Sequence, residues 1–278
     1  MFDSITQICN STIHHGQNSK RAYLMSLGGS NPSEIIDELN NIAINNDYTK
    51  IVAKVPAQHI GDFVSNGYET EALIPKLYNN EIDGYFLCKY MDKNRKNNKF
   101  SKECNEILNI AKQKKVESPE EIKDENIICR QATETDVLDI ITVYRKVFET
   151  YPFPIHDKNY ILKTMNEDVI YFGIWNNGKL VALSSIELSK KYSNAEMTDF
   201  AVLEEYRGKK YALYLLNVME NKLKDLGIKT AYTIARAMSA GMNITFAKCG
   251  YKFAGTLINN TDISGQIESM NVWYKNII

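Results

Sequence analysis

The first chemical signal is a run of four residues, Arg207, Gly208, Lys209 and Lys210, within "VLEEYRGKKYALYLL" from Val202 to Leu216. A hydrophobic strand ending in Phe-Ala-Val stops just before them, and an amphipathic helix starts at once on Tyr211 and Ala212. The first N–H groups of a helix have no partner inside it, and the helix dipole adds positive character, so an anion is favoured there. Three basic side chains strengthen that field, and Gly208 lets the backbone approach a ligand closely. An isolated RGKK would be an exposed basic turn. Between a strand and a helix it reads as a pyrophosphate-binding loop. The loop has neither GxxxxGK[ST] nor GxGxxG, so it fits neither the Walker nor the dinucleotide pattern.

The rest of the composition narrows the class. The chain has 278 residues and a net charge of −1, which gives no global electrostatic case for nucleic-acid or membrane partners. The five cysteines (Cys9, Cys88, Cys104, Cys129, Cys249) are scattered and form no CxxC, as expected in a reducing cytosol. The four histidines lack metal-ligand spacing, and His14 and His15 read as surface residues. The N-terminus lacks the pattern of a signal peptide, and no apolar run approaches the ~18 residues of a membrane helix. A cytoplasmic, metal-free protein is expected.

The elements that must position the loop follow from periodicity. Residues 89–126 are the least core-like. Within them Cys104, Ile107, Leu108 and Ala111 predict a connecting helix, and Pro119 and its charged neighbours a loop. Three regions result: 1–90, a linker at 91–125, and 126–278. The last reads β-α-α-β-β-β-α-β-α-β-β. A Thr-x-x-Asp cap opens its first helix, with Val137, Ile140, Ile141, Tyr144 and Phe148 on one face. An Asn-Asn-Gly turn joins two of its strands, and Gly227 closes the helix after the basic loop. The first 90 residues repeat the second half of that order: a strand at "RAYLMSL", the loop "GGSNP", a helix with Pro32 in its first turn, and then strand, short helix and two strands. "FVSNGYETEA" from Phe63 lies over "FAKCGYKFAG" from Phe246, and "VAK" at Val52 over "IAR" at Ile234 after a one-residue gap. A shared Phe-x-x-x-Gly-Tyr could arise by chance, but with the matching order of elements a degenerate internal duplication is expected, and the first copy has no basic residues in its loop with which to bind phosphate.

"FAVLEEYRGKKYALYLL" resembles the acetyl-CoA loop of the GNAT N-acetyltransferases, Arg/Gln-x-x-Gly-x-Gly/Ala. Arg207 and Ala212 fit its ends, and Lys210 replaces its central glycine. The block "AYTIARAMSAGMNITFAKCGYKFAGTLINNTDISGQIESMNVWYK" and the extension "HHGQNSKRAYLMSL" resemble the β-lysine N-acetyltransferases. The resemblance implies an α/β fold of GNAT type, with a mixed central sheet preceded by a smaller degenerate GNAT-like half domain. It also implies acetyl transfer from acetyl-CoA to the terminal amine of β-lysine, making a compatible solute, with lysine 2,3-aminomutase as pathway partner. A homodimer is left open. Competing readings are another small diamine or amino acid as acceptor, and a non-catalytic acyl-CoA-sensing module.

The resemblance also implies roles. Arg207, Gly208, Lys209, Lys210, Tyr211 and Ala212 would hold the pyrophosphate. Backbone groups of Phe200 and Val202 would pair with the pantetheine, and Ser239 or Asn243 would contact the same arm. Lys210 is expected to be helical, since lysine at φ > 0 would cost roughly 1–2 kcal/mol. Glu196 falls at the position of the general base, with Asp199 as rival or as ligand of a second amine. Strand alternation puts these two on opposite faces unless the bulge usual in this strand resets the count. Phe246 stands where the family commonly has a tyrosine acid. For the acceptor, Arg236 could fork a carboxylate or join a structural ion pair, and Tyr151 and Phe153 could wall the site or simply pack. Glu268 and Asn271 match the family on a late strand, and Asn259 and Asn260 read as turn residues.

Overall fold

The structure, a computed structural model, describes residues 3–118 and 122–277, so the loop expected at Pro119 lies outside the described residues. Among the described residues thirteen strands form one sheet, in the order β1-β2-β3-β4-β6-β5-β12-β13-β11-β10-β9-β8-β7. The C-terminal half supplies β7 (Ile127–Gln131), α4 (Val137–Val147), α5 (Lys158–Asn166), β8 (Val169–Asn176), β9 (Lys179–Ser189) and β10 (Asn194–Val202). It continues through α6 (Tyr211–Asp225), β11 (Thr230–Arg236), α7 (Ala240–Lys248), β12 (Lys252–Ile263) and β13 (Gln266–Asn276). Its order is the one the periodicity predicts. The local signals act where expected. Thr133 and Asp136 form a capping box before α4, and Asn177 and Gly178 take left-handed φ of 48° and 77° in the β8–β9 turn.

The N-terminal half runs β1 (Ser4–Ile8), β2 (Ser11–Gly16), β3 (Arg21–Ser26), α1 (Pro32–Asn45), β4 (Lys50–Pro56), α2 (Ile60–Ser65), β5 (Glu69–Tyr78) and β6 (Ile82–Tyr90), and α3 (Ser101–Lys112) follows in the linker. Its pairing repeats that of the other half. β3 is parallel to β4 as β10 is to β11, β4 is antiparallel to β6 as β11 is to β13, and β5 pairs β6 as β12 pairs β13. The ladders set Val52 over Tyr232, two residues from the Val52–Ile234 overlay of the letters, because the corners after β4 and β11 differ in length. The β1–β2 hairpin was not read from sequence, because its outer strand is polar and mostly exposed.

The halves meet edge to edge where Ala72 of β5 pairs Gly255 of β12. A Cβ on Gly255 would stand 2.1 Å from the Glu71 carbonyl oxygen, so only glycine permits this approach. A buried cluster spans the seam, joining Val52, Ile74 and Phe86 to Leu257, Met270 and Val272. Polar bonds cross it too. Lys50 Nζ donates to Glu71 Oε2 at 2.6 Å and to the Ile258 carbonyl at 2.7 Å, and Arg95 Nε donates to the Asn259 carbonyl at 2.7 Å. Asn259 and Asn260 therefore belong to an irregular stretch of β12 at the seam, not to a turn.

Candidate active site

One cavity of about 670 Å³ opens where β10 and β11 part. The two strands are paired only from Asn194–Thr230 to Glu196–Tyr232. Beyond that, β10 bulges between Thr198 and Ala201 against β9, with Asp199 at φ 56°. Aspartate tolerates this left-handed conformation better than most residues, and the bulge turns the strand out of register with β11. The splay leaves the β11-facing edge of β10 without a ladder partner beside Phe200 and Val202, which both line the cavity.

At the outer end lie Arg207, Gly208, Lys210, Tyr211 and Ala212, with Ser239 opposite. At the start of α6 the Tyr214 N–H donates to the Lys210 carbonyl at 3.0 Å, and the N–H groups of Tyr211, Ala212 and Leu213 before it have no acceptor within the helix. Gly208 has φ 80° with open space around it, which fits a cradle for a diphosphate. Lys210 is not helical: it precedes the helix at φ 60°, ψ 19°, a left-handed geometry that favours glycine. Lys209 does not line the cavity and stands 4.9 Å from the Tyr206 ring centroid. Asn243 does not line it either. It is fully buried, donating to the Arg236 and Ser239 carbonyls and accepting from Asn271 and Trp273, so it ties α7 to β11 and β13.

The inner end is acidic. Glu187 of β9 and Glu196 of β10 are directly paired across the antiparallel ladder, and Tyr232 of β11 continues the row. Like charges facing each other destabilise a sheet, so such a pair marks a site and not a scaffold. Burial pushes the Glu187 carboxyl well above the ordinary glutamate range, and the charges of Glu196 and Asp199 push it further. Burial also raises Glu196, while Lys54 and the Tyr232 hydroxyl pull it back. Lys54 reaches in from β4 and donates to the Tyr232 hydroxyl at 2.7 Å. Asp199, raised by burial, accepts from the Ser185 hydroxyl at 2.6 Å, from Thr198 at 3.4 Å and from the Tyr151 hydroxyl through a short bond. The bulge thus brings Glu196 and Asp199 to the same cavity, along with Tyr151 and Phe153.

Other expected residues stand elsewhere. Arg236 lines the cavity, but its fork is closed on Glu268, at 3.0 Å from Nε and 2.7 Å from Nη2. Glu268 is buried in that pair, and buried Asn271 bonds Thr256 and Asn243; neither lines the cavity. Phe246 does line it, edge-on to Phe200 and Tyr251. His14 is fully buried and not on the surface, 4.5 Å from Phe153 between ring centroids, and burial lowers its pKa to about 4.

Sequence reasoning missed Arg21, Tyr23 and Met25, which reach the cavity from β3, and also Glu187 and Lys54. The alternation Arg-x-Tyr-x-Met was the available signal, since it sets three large side chains on one strand face. Among the described residues no cluster of His, Cys, Asp and Glu could hold a metal ion, and no helix is long and apolar enough to cross a membrane.

Known proteins resemble this chain in sequence. The family model "Acetyltransferase (GNAT) family" matches residues 138–251. The chain is 45% identical to a β-lysine N(6)-acetyltransferase of Methanococcus maripaludis over 274 residues, 99% of either chain. It is 30% identical to a β-lysine N(6)-acetyltransferase of Methanosarcina mazei over 262 residues, 87% of this chain and 96% of that one. An N-acetyltransferase structure from Staphylococcus aureus Mu50 aligns over 55% of this chain and all of its own, at TM-score 0.49 and 19% identity. The chain therefore belongs to the β-lysine N(6)-acetyltransferases, within the acetyl-CoA-dependent GNAT N-acetyltransferases.

Proposed function

We propose that this chain transfers the acetyl group of acetyl-CoA directly to the terminal amine of β-lysine. The observation that carries the reading is the acidic row at the splay, Glu187 facing Glu196, set against a basic helix N-terminus at the other end of one cavity. When bound, acetyl-CoA supplies an acetyl group activated as a thioester. Arg207, Gly208, Lys210 and the α6 N–H groups would hold its diphosphate, and the open edge of β10 at Phe200 and Val202 its pantetheine amides. Tyr211, Ala212 and Ser239 would wall the slot.

An amine attacks only when neutral, and with a pKa of about 10.4 its deprotonation at pH 7 costs roughly 4–5 kcal/mol. The acidic row draws the substrate in as an ammonium ion. Glu196 then takes the proton at a carboxylate oxygen, and its raised pKa makes it a stronger base than an exposed glutamate. Asp199 is less suited to that task, because three hydroxyls already occupy its oxygens; it fixes Tyr151 over the acceptor, with Phe153 beside it. Phe246 has no proton to give, so no side chain is assigned to the leaving sulfur. On this reading lysine 2,3-aminomutase, which supplies β-lysine, is the pathway partner. Residues 1–90 are then a degenerate GNAT copy joined through 91–125 to the catalytic unit 126–278.

The test is free-thiol release from acetyl-CoA with β-lysine, α-lysine, ornithine or spermidine offered separately. Release with β-lysine well above the others is expected. Silence with all four despite acetyl-CoA binding would replace the enzyme reading with an acyl-CoA-sensing one.

A further inference from the structure

The proposed substrate carries a carboxylate and a second amine, and Arg236, the arginine singled out for that carboxylate, is occupied by Glu268. A different cation lies on the cavity wall without an anion. Arg21 of β3 is 3% exposed. Its Nη1 donates to Thr261 Oγ1 at 2.7 Å, its Nη2 meets His14 Nδ1 at 3.4 Å, and its Nε is buried with no partner. Among the described residues no carboxylate stands within ion-pair distance of it. Asp3, the acid whose charge reaches Arg21, accepts from the backbone N–H groups of Asn18 and Ser19. His14 is neutral at pH 7, since burial holds its pKa near 4.

The neighbouring buried cations differ. Lys50 pairs with Glu71 at 2.6 Å, and Arg95 gives three bonds to oxygens at 2.7 Å. A buried guanidinium with two neutral acceptors, one of them at 3.4 Å, and an idle Nε is a poor structural element but a ready anion receptor. A second orphan shares its wall: Asn260 Oδ1 is buried without a donor, although Asn260 lines the cavity. Arg21 and Asn260 come from the two different halves and share Thr261, whose hydroxyl accepts from Arg21 Nη1 at 2.7 Å and from Asn260 Nδ2 at 3.2 Å. One is a charged donor and the other a neutral acceptor, the complement of a carboxylate and an ammonium on nearby carbons. Tyr23 connects this end to the acidic one, since its ring centroid is 5.1 Å from the Arg21 guanidinium and its hydroxyl feels the Glu196 charge.

We infer that Arg21, with Asn260, forms the subsite for the carboxylate and adjacent amine of an amino-acid acceptor, so that the N-terminal half sets acceptor specificity. The inference rests on the amino-acid acceptor proposed above. It assigns to the catalytically silent half the recognition of the substrate's zwitterionic end.

The experiment compares kcat/KM for β-lysine and for pentane-1,4-diamine, which is β-lysine without its carboxylate. The wild type should prefer β-lysine by roughly 10²-fold, the scale of a buried charge-assisted contact. Arg21→Gln should abolish that preference through KM while leaving the diamine within about threefold of wild type. Arg21→Lys should retain part of the preference. If the Arg21 variants fail to fold, Thr261→Val, which removes the hydroxyl that orients the guanidinium, should lower the β-lysine to diamine ratio. An equal loss for both substrates, or an unchanged ratio in the folded variants, overturns the inference. A wild-type enzyme silent toward β-lysine but active on another amino acid overturns the substrate reading instead. The ratio for that amino acid and its decarboxylated form then tests Arg21.

Discussion

The two halves pair their strands alike, yet differ at the start of the helix that follows the first parallel strand. At α1, Asn31 caps the helix by accepting from the Ser33 N–H, and Pro32 fills the first turn, so the helix satisfies itself. At α6 the preceding residue, Lys210, makes no side-chain cap, and the N–H groups are left to the cavity. The ladders differ in the same sense. β3 and β4 stay paired for four residues, from Arg21–Lys50 to Leu24–Ala53, whereas β10 and β11 part after three and β10 then bulges. The slot beside Leu27, Gly29 and Pro56, which Ser189, Tyr192 and Asn194 of the second half also line, measures about 220 Å³, against about 670 Å³ at the splay of β10 and β11. Counted along the ladders, Tyr23 occupies in β3 the rung that Glu196 holds in β10. One topology thus gives an open cavity or a closed wall according to a cap, a bulge and one rung. The closed half keeps a use by lending side chains to the open one.

The sharpest way to break this contrast is at the rung that differs. Glu196→Gln should lower kcat at pH 7 by roughly 10²–10⁴-fold, the usual worth of a general base. Because burial raises the Glu196 pKa and the base form is the carboxylate, wild-type activity is lost as pH falls through that raised value. The variant depends on neutral amine from solution, whose share grows about tenfold per pH unit below roughly 10.4, so its deficit should narrow at alkaline pH. Initial rates from pH 6 to about 10 read this directly. A deficit constant across that range would make Glu196 a positioning group.

The two helix starts come next in size. Arg207→Ala should weaken acetyl-CoA binding about tenfold or more, as expected for a charged hydrogen bond. Isothermal titration with CoA and with dephosphorylated pantetheine separates a diphosphate contact from a general loss, and unchanged CoA affinity would remove the loop assignment. Asn31→Ala is the matched change in the first half. It should cost ~1 kcal/mol of stability in denaturant titration and leave CoA affinity alone. If it altered CoA binding, the two helix starts would be coupled and not independent.

Much of this was legible in the letters. The order of elements in the second half, the helix in the linker and the strand–loop–helix context of "YRGKK" all follow from periodicity and local signals. What was not legible depended on register. Glu187 becomes meaningful only once the β9–β10 ladder sets it opposite Glu196, and Asp199 joins the same cavity only because the bulge cancels one step of alternation. Arg236, Glu268, Asn243 and Asn271 are polar residues expected near the site, but polarity alone does not separate residues that hold a wall together from those that face a ligand. The hydrogen-bond partners do, since all four are engaged within the protein. Arg21 was hidden because it lies in the half with no phosphate loop, and the sheet seam that delivers it to the cavity is a tertiary feature.

Lys210 gives the smallest effect and the finest comparison, because the sequence expectation of a helical lysine fails there. At φ 60° a lysine carries strain that glycine would not, roughly 1 kcal/mol or more, while glycine loses about 0.5–1 kcal/mol through the extra freedom of the unfolded chain. Lys210→Gly should therefore change stability by only a few tenths of a kcal/mol, whereas Lys210→Ala keeps the strain and removes the charge. If lysine is held at this position for its ammonium, both variants should lose CoA affinity alike, by about threefold at low salt and less as salt screens the diphosphate. If it is merely tolerated, Lys210→Gly should bind at least as well as wild type and Lys210→Ala no worse. Titrations at two salt concentrations distinguish the outcomes, since a charge effect shrinks with ionic strength and a backbone effect does not. The first outcome makes Lys210 the counterpart of Asn31: each half fills the position before its helix with the residue suited to its task, a neutral cap where the helix closes on itself and a cation where it binds an anion.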